Sequence, residues 1–254
     1  PAATDQLQQL MENYYEEKLK LYPLGATYQG YKRYNDYLPN SLSDEFMAKE
    51  KTFYTSVLNQ LKSIDEESLS EEDLLSKKVL HWECDINLKR LEFPTHLLPL
   101  NQMWTLQLTI GQLAGGSSAQ PFKTVEDYDN WLARVDDYLV WLYTAEDRMK
   151  EGIEKNVVLP KSLIKKIVPQ LASIALTDVV DHLFYGPIRQ LPASFSDEDK
   201  TRLTTAYQSM IEDKVKPAYL QLHDFMNGEY MEAGRLSSGF DAYTFGSDYY
   251  DYAI

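Results

Sequence analysis

The chain has 254 residues, 44% hydrophobic and 25% charged, a globular balance that excludes wholesale disorder and leaves room for a sizeable core. Its 39 acidic against 25 basic side chains give a formal net charge of −14. That disfavours nucleic acid and anionic lipid, both of which are held by clustered lysine and arginine. A single cysteine, Cys84, excludes an internal disulfide and a cysteine-rich zinc site. No run approaches the ~20 apolar residues that span a bilayer. The opening Pro1-Ala2-Ala3-Thr4-Asp5-Gln6 has none of the features of a signal peptide and reads as what a cleaved or trimmed leader leaves behind.

The first helix is expected from about Asp5 to Tyr22, with Leu7, Leu10, Met11, Tyr14, Leu21 and Tyr22 near one face. Pro23 stops it, and residues 23–41 form an ordered connector in which Gly25, Gly30, Leu38 and several tyrosines give turns and apolar surface. Four helix starts share one device, a Ser or Thr followed three residues later by Asp: Ser41…Asp44, Ser70…Asp73, Thr124…Asp127 and Ser196…Asp199. The hydroxyl accepts from first-turn amides and the carboxylate suits the positive end of the helix dipole.

A second helix follows Ser43, with Phe46, Met47, Phe53, Tyr54, Val57, Leu58, Leu61 and Ile64 at helical spacing. A third follows Ser70 through Leu74, Leu75, Val79, Trp82 and Ile86, before Pro94 and Pro99 break the pattern. Residues 93–121 show no helical pattern and contain the flexible Gly115-Gly116-Ser117-Ser118. The helix after Thr124 carries Tyr128, Trp131, Leu132, Val135, Tyr138, Leu139, Leu142 and Tyr143, and Gly152 ends it. Shorter pieces follow: Ser162 to about Ile174, interrupted at Pro169, and Thr177 to about Tyr185, closed by Gly186-Pro187. A long helix after Ser196 carries Leu203, Tyr207, Met210, Ile211 and Val215, with Pro217 as a kink, and runs on through Leu220 and Phe225. Residues 234–254 combine three glycines with an aromatic alternation compatible with extended chain. The pattern is that of an all-α, multi-helix bundle-like domain over residues 1–254, with a minor irregular or short-stranded C-terminal segment.

Chemistry is thinly signalled. His81 and Asp85, four apart on a helix, share a face, but the residue types do not complete a zinc-deaminase or His-Glu-x-x-His pattern. Asp178 and His182 repeat that spacing and would make an oriented base, with no nucleophile near them in sequence. His96 lies between prolines and His223 late in a helix, which suits structural or exposed roles. Residues 111–118 are glycine-rich without the Lys-Ser or Lys-Thr of a phosphate loop, and read as a flexible cleft edge. Glu66-Glu67 and Glu71-Glu72 sit at helix starts, where the dipole accounts for them. The residues thus name no catalytic, cofactor-binding or metal-ligating group.

A longer-range pattern carries further. Pro23…Ala26-Thr27…Gly30…Tyr34-Asn35-Asp36-Tyr37-Leu38-Pro39-Asn40-Ser41 resembles the N-terminal signature of a bacterial family, domain-of-unknown-function family 885. The likeness continues through Leu100-Asn101-Gln102, Tyr128…Trp131-Leu132-Ala133-Arg134, Arg148…Gly152-Ile153…Pro160 and Phe184-Tyr185-Gly186-Pro187. It ends with Pro217-Ala218-Tyr219…Phe225…Tyr230…Ala233…Arg235 and Gly246…Tyr249-Tyr250.

The resemblance implies a helical zinc metallopeptidase-like protein, extracytoplasmic and in many members secreted or lipid-anchored, about twice this length. Its zinc motif, of the His-Glu-x-x-x-Gly-His type, is absent from this sequence. By that reading the chain is an N-terminal half without metal or cofactor of its own, partnered by a C-terminal catalytic half and a peptide substrate. Asn101, Gln102, Tyr249 and Tyr250 are then the candidate substrate-cleft residues, and the fragment alone is inactive. The alternative is a non-enzymatic helical binding domain, its surface tyrosines serving as contacts.

Overall fold

Capping and helical periodicity set the element order of the computed structural model, which describes residues 2–254. The first four helices are α1 (Ala3–Leu21), the short α2 (Pro23–Tyr28), α3 (Asp44–Lys62) and α4 (Glu71–Arg90). Then come α5 (Leu106–Ala114), the long α6 (Val125–Glu154), α7 (Lys161–Leu176) and α8 (Gly186–Arg189). The last are α9 (Asp197–Ser209), α10 (Lys216–Asn227), α11 (Glu229–Ala233) and α12 (Gly246–Ala253). Among the described residues the extended pairing is one isolated parallel bridge between Pro160 and Arg235, so the fold is all-α. The irregular C-terminal stretch turns once at Phe240–Ala242 and coils into α12, where Gly246 packs against the Phe240 carbonyl too closely for any side chain.

Three of the four expected caps form as read. Thr124 builds a full capping box, its Oγ1 accepting from the Asp127 amide at 3.1 Å while Asp127 Oδ2 accepts from the Thr124 amide at 3.0 Å. Ser70 and Ser196 accept from the amides of Asp73 and Asp199. At α3 the cap is Ser43, which accepts from the Phe46 amide at 3.1 Å. Ser41, the expected cap, instead accepts from the Trp141 indole at 3.0 Å and so belongs to the connector's attachment to α6.

Two large hydrophobic clusters result, with a small third one at Leu97, Val157 and Tyr243. The larger surrounds α6, whose Tyr128, Trp131, Val135 and Tyr138 are fully buried, with α10 packed along α7 on its flank. The smaller joins α1, α3 and α4 through Leu7, Leu10, Tyr54, Val57, Leu61, Leu80 and Cys84. Here α4 turns an unexpected face inward. It buries Lys77, Leu80 and Cys84, while Leu75, Val79 and Trp82 are exposed, because α1 and α3 cover only one side of it. Lys77 lays its stem inward and donates to the Ile64 carbonyl and Glu66, both at 2.9 Å, which satisfies its charge.

Four further segments depart from their sequence expectation for local reasons. Leu106–Ala114 is helical, with Gln107, Ile110, Gly111, Leu113 and Ala114 buried; its threonine and glycine mask an apolar face that burial pays for. Pro169 is tolerated inside a continuous α7. The Thr177–Tyr185 helix is replaced by two 3-10 turns, Val179–Asp181 and Leu183–Tyr185. Before Pro217 the chain widens into a π-helical turn, Met210–Val215, which absorbs the N–H that proline lacks.

The connector is tied to α6 by a guanidinium. Arg134 is fully buried, and its nitrogens donate to Tyr37 O at 3.1 Å, Thr27 Oγ1 at 2.9 Å, Gln120 Oε1 at 2.6 Å, and Tyr34 O. Burial lowers its pKa to about 10, so it remains charged at neutral pH. The same face of α6 continues the attachment. Asp137 Oδ2 accepts from the Leu38 amide at 2.9 Å, Thr144 Oγ1 from Asn40 at 2.8 Å, and Arg148 Nε donates to Leu42 O at 2.8 Å.

His182 fixes the turns after α7. It is fully buried; Nδ1 accepts from the Phe184 amide at 3.2 Å, so Nε2 carries the proton and donates to Ile174 O at 2.9 Å. That arrangement needs a neutral ring, and burial pushes its pKa below the ordinary 6.5. Its partners are backbone groups rather than Asp178, so the oriented-base expectation gives way to a structural one.

Two outcomes are expected. Arg134→Met should lower the unfolding free energy by about 3 kcal/mol in urea denaturation, because four acceptors lose their donor, and Arg134→Lys should recover only part, lacking the planar fork. Because the folded pKa of His182 is depressed, stability should fall as pH drops below about 6.5, where the unfolded chain takes up the proton first. Thermal melts across that range should show a shallower fall for His182→Gln, with a residual slope from His96, which burial shifts in the same direction.

Candidate functional site

A cavity of about 780 Å³ opens between α5, α7 and the turn at Leu183. Its construction starts with Asn101. The Asn101 side chain accepts from the amides of Met103 and Trp104 at 2.8 and 3.0 Å, curling residues 101–105 into a tight loop ahead of α5. Two glutamines hold that loop from opposite helices. Gln107 of α5 donates its amide N–H to Asn101 O at 2.9 Å, and Gln170 of α7 donates to Gln102 O at 3.2 Å.

Each glutamine therefore spends one N–H on the loop. Their carbonyl oxygens are buried and accept from no described residue, and both side chains line the cavity. Two other buried polar atoms lack a partner, Tyr14 Oη and Trp131 Nε1, and these sit within the packed clusters. An unpaired buried acceptor costs about 1–3 kcal/mol, so a pair of them at one cavity is a place where an N–H donor would be welcome.

The rest of the wall is mixed, with Gln112, Ser117 and Ser173 beside an apolar patch. Leu108, Leu171, Ile174 and Leu183 line it, and Leu183 rests over Gly111 and Gly115. Gly186 is held so near the Gly115 carbonyl that a Cβ there would lie 2.4 Å away, which fixes the turn against α5. No charged side chain lines the cavity. Beside it Met103, Trp104, Leu176 and Val180 are exposed, Trp104 by 75%.

The structure places the sequence candidates as follows. Asn101 and Gln102 form the loop at the mouth, Asn101 through its side chain and Gln102 through its carbonyl. Gly111, Gly115 and Ser117 of the glycine-rich stretch line the cavity. Tyr249 and Tyr250 are not among its lining residues. Tyr249 stacks on Phe240 at 4.9 Å and meets Phe93 edge-on at 5.2 Å, while Tyr250 is exposed. His81 is exposed and Asp85 pairs with Lys89 at 3.3 Å. His223 bonds its neighbour Asp224 at 2.9 Å.

Among the described residues no group of three or more His, Cys, Asp or Glu side chains converges to hold a metal. The donor set of this chain does not fit a zinc site. Gln107 and Gln170 escaped sequence reasoning because they are 63 positions apart; only the helical period of residues 106–114 could have pointed to the first.

Comparison with known proteins follows this geometry. A crystal structure described as "the putative lipoprotein from Colwellia psychrerythraea" matches with a TM-score of 0.83 at 17% identity. The match covers 100% of this chain and 46% of that one, so this chain spans about half the length of its solved relative. At such identity the likeness is one of fold. No curated protein matches the sequence. The family model described as "Bacterial protein of unknown function (DUF885)" matches residues 23–254, beginning at the first residue of the connector that Arg134 holds. The chain belongs to that bacterial family, DUF885.

Proposed function

We propose that this chain is the helical, cleft-forming region of an extracytoplasmic zinc-dependent peptidase, and that the cavity between α5 and α7 holds the main chain of its peptide. The observation that carries this reading is the pair of unpartnered oxygens, Gln107 Oε1 and Gln170 Oε1, at one cavity. Peptide backbone supplies N–H donors whatever its sequence, and the apolar patch suits its side chains. The lining carries no carboxylate, histidine, lysine or cysteine to activate its Ser117 and Ser173 hydroxyls. Tyr219, the one titratable group there, is hydrogen-bonded to Tyr138 at 2.6 Å and burial holds its phenol neutral. The cavity binds and orients; it does not move protons.

Zinc, when bound by such a peptidase, activates water, and its ligands must lie outside this sequence. A location outside the cytoplasm is supported by the lipoprotein description of the solved relative, and no helix here is long and apolar enough to cross a membrane. The exposed apolar residues beside the cavity favour a second reading, a binding domain without catalysis, which shares the same peptide site.

Trp104 reports on the cavity mouth. Titration with an N-acetylated, unstructured hexapeptide should change its fluorescence, and Trp104→Phe should abolish the signal. Gln170→Leu should weaken binding about 3- to 10-fold, the value of one hydrogen bond. No signal with peptide, or unaltered affinity in Gln170→Leu, would remove the peptide site. The chain by itself is expected to purify without stoichiometric zinc and to leave peptides uncut when zinc is added. Hydrolysis by this chain would return His81 and His182 to consideration, and a catalytic motif absent from the complete protein would favour the binding domain.

A further inference from the structure

A second cavity, of about 500 Å³, lies where the α1–α3–α4 cluster meets the connector. Its deepest charged group is Glu50, on α3 and only 3% exposed. Glu50 Oε1 accepts from Arg90 Nη2 at 2.8 Å and from the Tyr22 hydroxyl, and the Tyr22 and Tyr54 hydroxyls are 2.8 Å apart. Both phenols are pushed above their ordinary value, first by burial, so they remain neutral donors. Both bonds to Glu50 fall on one oxygen. Arg90 commits one nitrogen to Glu50, and its other two donate to no described residue.

The remaining lining is mixed, with Ser41, Asn87 and Thr95 as its neutral polar groups. Leu42, Phe46, Met47, Leu91 and Phe93 form an apolar wall, while Lys18 lies at the lining and pairs with Glu83. His96 completes the lining and is held below its ordinary value by burial. In a chain of net charge −14, this cavity is lined by two cations and one carboxylate.

We propose that this cavity binds a zwitterionic α-amino acid or dipeptide with an apolar side chain. The ligand's ammonium meets Glu50, its carboxylate meets the uncommitted nitrogens of Arg90, and its side chain lies on Phe46 and Met47. Each simpler ligand class fails on one wall. A plain anion approaches Glu50, a plain cation approaches Arg90 and Lys18, and an apolar molecule displaces water from all three charges without adding a polar partner. A zwitterion meets both signs at once, with charge-assisted hydrogen bonds. The volume admits one or two residues and excludes a folded polypeptide. The site uses none of the residues of the α5–α7 cavity, so the two proposals fail separately.

Calorimetric titration of the chain at neutral pH with L-leucine and L-leucyl-L-leucine tests this, against N-acetyl-leucine, which lacks the ammonium, and leucinamide, which lacks the carboxylate. At least one zwitterion should bind, with both blocked forms weaker by about 10-fold or more, as expected for loss of one charge-assisted bond. Glu50→Gln keeps a hydrogen-bonding group for Tyr22 and Arg90 while deleting the charge, and should weaken the zwitterion about as much. Absence of binding into the millimolar range, or equal affinity for leucine and its blocked forms, would overturn the proposal. The ligand comparison needs only the unaltered chain, so a folding defect in Glu50→Gln would not obscure the result.

Discussion

The buried Arg134 guanidinium is the contact on which the rest of the arrangement depends. A charge with no solvent is tolerable only when its donors are satisfied, and here backbone carbonyls, a threonine hydroxyl and a glutamine amide satisfy them in place of a carboxylate. Asp36 and Asp137 add favourable field without direct contact. A neutral cradle of this kind has a structural consequence. Lysine cannot span it, and the acceptors come from a chain segment that would otherwise have few regular backbone bonds. The arginine thereby gives residues 27–37 a single conformation.

The connector then runs along α6 in register. Its attachments fall at 134, 137, 141, 144 and 148, spacings of three and four that keep one helix face in use over four turns. Side-chain bonds replace the ladder a strand would have. By this route the α1–α3–α4 cluster is held against the main core, and Ser41 and Leu42, pinned by Trp141 and Arg148, become part of the Glu50 cavity wall. The cavity exists because two clusters meet along a polar seam rather than a continuous apolar one.

Much of this was legible in the sequence, and what was not has a physical reason. Caps at Ser70, Thr124 and Ser196 are local chemistry and read directly. Ser41 and Ser43 offer the same hydroxyl two positions apart, and the choice between them was made by Trp141, a hundred residues away. The inward face of α4 was misread because Leu75, Val79 and Trp82 outweigh Leu80 and Cys84 in apolarity, while a lysine supplies part of the buried face. Pro217 announced an irregularity but not its form, since a kink and a π-turn both dispose of a missing donor. Arg134 stood inside a recognised motif, yet a partner set made of carbonyls leaves no complementary charge to find.

The contrast between the two kinds of buried polar group bears on function. At Arg134 four of the five N–H donors have a protein acceptor, and the guanidinium is committed to the segment it holds. At the α5–α7 cavity the opposite holds. Gln107 and Gln170 each donate to residues 101–102 and leave a buried acceptor unpaired beside the cavity. An amide at both positions retains an acceptor at a cost in the free chain, and a bound N–H donor recovers that cost. The same reasoning separates the Glu50 cavity, where one oxygen carries both protein contacts and the guanidinium has nitrogens to spare. One site is short of donors and uncharged, the other carries both signs, and it is this difference in unmet demand that assigns them ligands of different chemistry.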